Sequence, residues 1–333
     1  MTVPLVVSFV ALLTACTTTK PPQSSSRELV FTGMCDASAA VAIDAHRFIV
    51  ADDEDNVLRA YDASSPGAPL WSVDVSSDIG IAAKPPKPGK PPRRAPEADI
   101  EAATRVGALS FWMTSHGRNA TGKPKAERLR LFAATLPTDS RPLAIQGRAY
   151  AGLLDDLLAD PRLAAFGLKE ASERPPKAEG GLNLEGMAAR PEGGVWIGFR
   201  NPIPGGKALL LPLLNPEELI VGGRARFGDP RLLDLNGLGV RAISQRGGRY
   251  LILAGPYASE GNFRLFRWDG SAQLSQVPQE QLQGLNPEAF FSPEGRNEVL
   301  VLSDDGAVPI NGTECKRLKD PKQKRFRARW ITP

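Results

Sequence analysis

Asn183-Leu184-Glu185-Gly186-Met187 is followed, after a small polar turn, by Val195-Trp196-Ile197-Gly198-Phe199. The second piece is rich in β-branched and aromatic residues and reads as a strand. The same pair recurs. Asn286-Pro287-Glu288-Ala289-Phe290 precedes Val299-Leu300-Val301-Leu302-Ser303, and Asp99-Ile100-Glu101-Ala102-Ala103 precedes Phe111-Trp112-Met113-Thr114-Ser115. Weaker copies begin at Asp36 and Gly239 and lead into Phe48-Ile49-Val50-Ala51-Asp52 and Tyr250-Leu251-Ile252-Leu253-Ala254. A strand-only unit copied at this spacing is one supersecondary element repeated around an axis. The chain therefore reads as all-β: a β-propeller with five visible repeats, five to seven blades, and one short helical insertion.

The 333 residues are 42% apolar and 23% charged, with 32 Gly and 30 Pro, which suits many short strands joined by turns. The repeats cover nearly everything from residue 29 to 333, so one propeller domain is expected. Two segments interrupt it. Residues 77–98 hold the basic run Lys84-Pro-Pro-Lys-Pro-Gly-Lys-Pro-Pro-Arg-Arg94, a solvated loop of polyproline II character. Residues 148–172 read as helical: Tyr150, Leu153, Leu154, Leu157 and Leu158 share one face, and Asp160-Pro161 restarts the helix as cap and first residue. This insertion is expected over one face of the disc, as a lid or as a packing element.

Residues 3–15 carry no charge and are too few to span a bilayer, so residues 1–15 read as an export signal. Leu13-Thr14-Ala15-Cys16 resembles the lipobox of bacterial lipoproteins, with Cys16 the acylated residue; the alternative is a soluble secreted protein. Residues 16–28 then form a polar tether. The implied address is the bacterial cell envelope, as an outer-membrane lipoprotein facing the periplasm or the surface, with the membrane reached through the N-terminal lipid. Export permits disulfides. Cys35 lies just after the first strand and Cys315 just before the last, so closure of the propeller should bring them together; two buried free thiols are the alternative. The net charge of +4 comes largely from the Pro-rich loop and the alternating Arg325, Arg327 and Arg329 of the last strand. Neither is a nucleic-acid arm, and nucleic acid is not an expected partner.

Familiar catalytic signatures are missing. No Gly-x-Ser-x-Gly elbow occurs, and the two histidines have no zinc-site spacing. The repeat itself carries the chemistry. Its third position holds Ser38, Glu101, Glu185, Arg241 and Glu288, which equivalent blades would bring together on the axis. Glu101, Glu185 and Glu288 are thus candidate ligands for Ca²⁺, a cation that takes several carboxylate oxygens. The alternative is a structural network in which Arg241 bridges the glutamates. A second polar set ends the following strands and gathers at the mouth: Asp52 and Asp53, Ser115, His116 and Arg118, Arg200 and Asn201, Ser303, Asp304 and Asp305. From it His116 is the candidate general acid or base, while Ser115, Arg118, Arg200, Asn201, Arg241 and Asp304 are candidate ligand-binding residues for a small anionic group.

Asp99-Ile-Glu101, Ser115-His116-Gly117-Arg118, Asn183-Leu-Glu185-Gly186 and Gly239-Val-Arg241 together resemble the bacterial domain-of-unknown-function family 3616, over roughly residues 30–333. That resemblance implies a propeller and no established activity. The Asn/Asp-x-Glu-Gly phrase is more loosely similar to the esterase-like phytase propellers, although Ala follows Glu101 and Glu288 here. Two functions are therefore expected in parallel: a lipid-anchored module that binds a small ligand or an envelope protein, or a Ca²⁺-assisted hydrolase of phosphoesters or esters.

Overall fold

The computed structural model describes residues 28–333 except 84, 86–93, 139–142, 272 and 279. Cys16, the signal segment, most of the tether and most of the Pro-rich loop lie outside the described residues. Among the described residues five antiparallel four-stranded sheets and one two-stranded hairpin make up the molecule. Their innermost strands are Ala37–Ala42, Ile100–Val106, Asn183–Ala189, Gly239–Arg246 and Pro287–Phe291, in blades 1 to 5. Each touches the inner strand of the next blade, and the fifth returns to the first, so the sheets close into a five-bladed propeller. Five blades is the low end of the range expected from sequence.

Blades 1 to 4 are four-stranded meanders in chain order. Blade 5 is composite: Pro287–Phe291, Val299–Ser303 and Arg325–Ile331 are completed on the outside by the first strand, Glu28–Thr32, with Phe31 opposite Phe326. The second strands of the repeats are buried on both faces, which is why they read as near-continuous apolar runs. Alternate residues point to opposite faces. Phe48 and Val50 thus pack toward blade 5, with Phe31, Phe291 and Phe326, while Ile49 and Ala51 pack toward blade 2, with Trp112 and Phe132. The blade 5–1 seam is an aromatic cluster, with Phe48 stacked on Phe291 at 4.7 Å and Phe31 on Phe326 at 5.2 Å.

The helical insertion consists of Leu153–Ala159, a 3-10 turn Pro161–Phe166 capped by Asp160, and Leu168–Ser172. It is a packing element. Leu153, Leu157, Leu163 and Leu168 are buried with Phe111, Met187 and Ile197 in the core between blades 2 and 3. Tyr150 belongs to the preceding strand and Leu158 is 39% exposed, so the expected helical face is narrower than the sequence suggests. The segment Arg224–Phe227, which alternates like a strand, forms only an isolated bridge from Phe227 to Leu213. Its donors are taken by side chains: Asp156 accepts from the Ala225 amide and Asn215 from the Arg226 amide. Among the described residues no helix is long and apolar enough to cross a membrane.

Candidate functional site

Each inner strand has an irregularity at the third position of the repeated phrase, and blade 3 has a second one just before it, between Asn183 and Leu184. The pairing register shifts between Ala37 and Ala39, Ile100 and Ala102, Leu184 and Gly186, Val240 and Ala242, and Pro287 and Ala289. A bulge leaves the extra residue unpaired and re-aims its side chain. The re-aimed residues are Ser38, Glu101, Glu185, Arg241 and Glu288.

Four of them are answered by one another or by neighbouring groups. Arg241 reaches Glu185 at 3.0 Å and Glu288 at 2.7 Å. Arg200 reaches the other side of Glu185 at 2.7 Å. Burial alone would raise the Glu185 pKa, but Arg200 and Arg241 outweigh it and hold the carboxyl below the usual range. Ser38 donates to the Ile100 carbonyl at 2.6 Å. Glu101 is different: among the described residues it has no basic partner, and burial together with Glu185, Asp99 and Glu288 pushes it well above the usual carboxylate range. The structure thus divides the three glutamates named as metal ligands. Glu185 and Glu288 belong to an arginine network, and Glu101 faces a separate acidic group.

That group lies where the inner strands begin and the second strands end. A cavity of about 670 Å³ opens there, with eight carboxyl groups and four basic side chains on its wall. Oxygens of Asp53, Asp99 and Glu101 lie within 4.8 Å of one another, as do those of Asp36, Asp52 and Asp53. Burial and the neighbouring Asp52, Asp304 and Glu54 push the Asp36 carboxyl up to about 9. Burial and Asp55 push Asp52 up to about 7 against the pull of Arg59. Burial and Glu101 raise Asp53 well above its usual range. Asp99 adopts a left-handed φ of 62°, a region where Asp is tolerated better than most residues, and its carbonyl accepts from the Ser115 amide.

The other sequence candidates have local duties. Arg118 spends its donors on the Ser172 and Gly122 carbonyls, and Arg200 on Glu185 and the Pro256 and Ala258 carbonyls. Asn201 holds the Pro176 and Ala178 carbonyls that border the cavity. Ser115 is fully buried and its hydroxyl accepts from the Gly117 amide. Asp304 lines the cavity and its backbone bridges to Asp36. His116 is 2% exposed and does not line the cavity, and burial pushes its pKa down to about 4. The arginines expected to hold an anionic ligand already hold carboxylates and carbonyls, while the buried Arg241 Nε has no partner. The residues missed as site members are Asp36 and Asp99; Asp52 and Asp53 are expected at the mouth from sequence but without a role there. Their signal was present: the first letter of the phrase and the last letters of the following strand are both acidic in the first repeat.

Cys35 and Cys315 form a disulfide with Cα atoms 5.9 Å apart. It pins the turn between the first strand and blade 1 to the segment that follows the hairpin Pro309–Glu314. Asp36 is the next residue, so the bridge also anchors the acidic wall.

The family described as "Protein of unknown function (DUF3616)" matches residues 114–298. No curated protein matches the chain. Solved structures of similar fold include the PQQ-bound aldose sugar dehydrogenase of Streptomyces coelicolor, at 12% identity and a TM-score of 0.42, covering 92% of this chain and 99% of that one. The glutaminyl cyclase of Myxococcus xanthus matches at 11% identity and a TM-score of 0.44, covering 92% and 95%. An exo-β-1,3-galactanase of Phanerochaete chrysosporium matches at 8% identity and a TM-score of 0.46, covering 92% and 63%. At these values the likeness concerns the fold alone.

Proposed function

The chain belongs to the DUF3616 family of proteins of unknown function, and from that premise we propose that it is a ligand-binding propeller of the bacterial cell envelope. Its axial cavity takes a small ligand that presents positive charge. The observation that carries this reading is the composition of the wall: eight carboxyl groups against four basic side chains, around a concave site of ligand size. Three of those four, Arg128, Arg200 and Lys316, are already committed to carboxylates.

Binding is favoured over the hydrolase in which His116 transfers the proton, because His116 does not line the cavity. Titration calorimetry of the full chain with small cations (spermidine, choline, lysine) tests the reading. Saturable heat that is lost in Glu101→Gln is expected. Heat from phosphoester or ester turnover, in place of saturable binding, would turn the assignment to the hydrolase.

Membrane anchoring through Cys16 is the second part of the proposal. Glu28 pairs with Arg329 near the end of the closing strand, and Thr32 pairs with Arg325 at its start, so the first strand runs from the far face toward the cavity face. Parent protein should partition into detergent and Cys16→Ser should not; equal partitioning of both rejects the anchor.

A further inference from the structure

The carboxylates of this molecule fall into two classes. Those on the arginine side are compensated. Glu185 has Arg200 and Arg241, Glu288 has Arg241, Asp305 has Arg327 at 2.8 Å, and Asp99 has Arg128 at 2.8 Å. Asp36, Asp53 and Glu101 have no ion pair among the described residues, although all three line one cavity. Asp36 is only 3% exposed, and its Oδ2 has no hydrogen-bond partner. The Asp53 Oδ1 is likewise buried and unpartnered. An acceptor left unmet in the interior costs the full desolvation of the group, more so when it is charged. A fold that answers its other axial carboxylates with arginine and leaves these open has reserved them for a positive charge from outside.

We propose that the cavity end of the axis is a binding site for a hard divalent cation, Ca²⁺ by its chemistry, centred on Asp53. Asp36 and Asp52 complete it on one side, and on the other Glu101 together with Asp99, whose second partner is Arg128. This deepens the reading of the cavity as a site for positive charge and rests on it.

Three features select the ion. The donors are all carboxylate oxygens, which suit magnesium, calcium or manganese rather than zinc or copper. Within each triad the oxygens lie within 4.8 Å of one another, the reach of one ion, because two oxygens each about 2.3–2.6 Å from Ca²⁺ can lie up to roughly 5 Å apart. The two triads share Asp53, and each brings three carboxylates within reach of one ion. Three carboxylates exceed the one or two protein carboxylates about which Mg²⁺ sites are usually built, and bidentate binding, carbonyls and waters would bring them to the six to eight oxygens that Ca²⁺ takes.

The backbone is shaped around the donors as well. A Cβ on Gly306 would lie 1.5 Å from Asp36 Oδ1, so only glycine lets that carboxylate lie against the chain. The raised pKa values of Asp36, Asp53 and Glu101 agree with this arrangement, since a bound cation would favour the charged form of each.

The test uses the full chain, stripped with chelator and returned to chelator-free buffer. Calcium chloride is titrated by calorimetry, and thermal unfolding is followed with and without it. Saturable heat is expected, with a rise in melting temperature of about 5 °C at a hundredfold excess over Kd. Asp53→Asn should abolish both responses, and Asp229→Asn, a surface change far from the axis, should leave both as in the parent. If Asp53→Asn fails to fold, Asp36→Asn is read in its place. A parent without any response to Ca²⁺, or Asp53 and Asp36 variants that respond as the parent does, overturns the site. Saturable binding of organic cations by a parent that ignores Ca²⁺ overturns this inference alone. Loss of both kinds of binding removes the reading of the cavity too.

Discussion

His116 sits with its Nδ1 2.8 Å from the Thr114 carbonyl, an acceptor, so Nδ1 carries the proton and the buried Nε2 lone pair has no partner. Charging this ring would place an uncompensated cation in the interior, with Arg130 adding repulsion. Burial therefore holds the folded pKa at about 4 against a usual 6.5. The unfolded chain binds the proton first as pH falls. Stability from this group is complete above about pH 6.5 and is lost as pH falls through about 4, by roughly 3 kcal/mol in all. His116→Asn tolerates the left-handed φ of 55° and does not titrate. The stability difference between parent and variant should be flat above pH 7 and shift against the parent by roughly that amount toward pH 4, in denaturant unfolding at several pH values. A constant difference across the range would mean that the ring is not held neutral. Subtracting the variant cancels the carboxylates, whose raised pKa values act in the opposite sense. Arg241 illustrates the other solution to a buried charge: it lies between Glu185 and Glu288, so no member of that group is left alone.

The inner strand of a blade does two jobs at once, packing against its neighbours and re-aiming one side chain, and the bulge lets it do both. Blade 3 shows how little room this leaves. A Cβ on Gly198 would meet the Val240 side chain at 2.6 Å, and one on Gly186 would meet it at 2.7 Å, with the two glycines facing each other across the hairpin. Gly198→Ala should therefore destabilise by about 1–3 kcal/mol through overpacking, measured by chemical unfolding, and Val240→Ala in the same chain should recover part of it. A neutral Gly198→Ala would show that the seam between blades 3 and 4 is looser than the contacts imply. The strands were legible because burial on both faces leaves apolar runs, and the axial residues because the third letter of the phrase keeps a polar identity from copy to copy. The bulge itself leaves no compositional mark. Nor do the partners of Arg118 and Arg200, since backbone carbonyls carry no letter, and both arginines looked free to hold an anion. Convergence of Asp36 and Asp53 with Asp99 and Glu101 depends on loops from different blades meeting at the mouth, a relation between distant segments that no local pattern records.

At the scale of the whole molecule the propeller is a ring, and a ring of blades is only as secure as its joint. The joint is blade 5, where the first strand zips onto the last through pairs from Glu28–Arg329 to Thr32–Arg325. It is supported by the aromatic seam with blade 1. The Cys35–Cys315 disulfide spans 280 residues, so it links nearly the two ends of the folded chain and stops the first strand from peeling away. Closing a loop of 280 residues in the unfolded state contributes about 5 kcal/mol on a chain-entropy account. The double variant Cys35→Ala, Cys315→Ala should lose stability of that order, measured by denaturant unfolding. Peptide mass spectrometry after alkylation of denatured parent should find both cysteines unmodified until reductant is added. Modification without reductant, or a double variant as stable as the parent, would remove the disulfide as the lock on the ring. The same variant also reports on the axis. The bridge fixes the residue before Asp36, while the Asp305 amide donates to the Cys35 carbonyl beside it at 2.9 Å, so a loosened joint should weaken the response to Ca²⁺ even where the propeller remains folded.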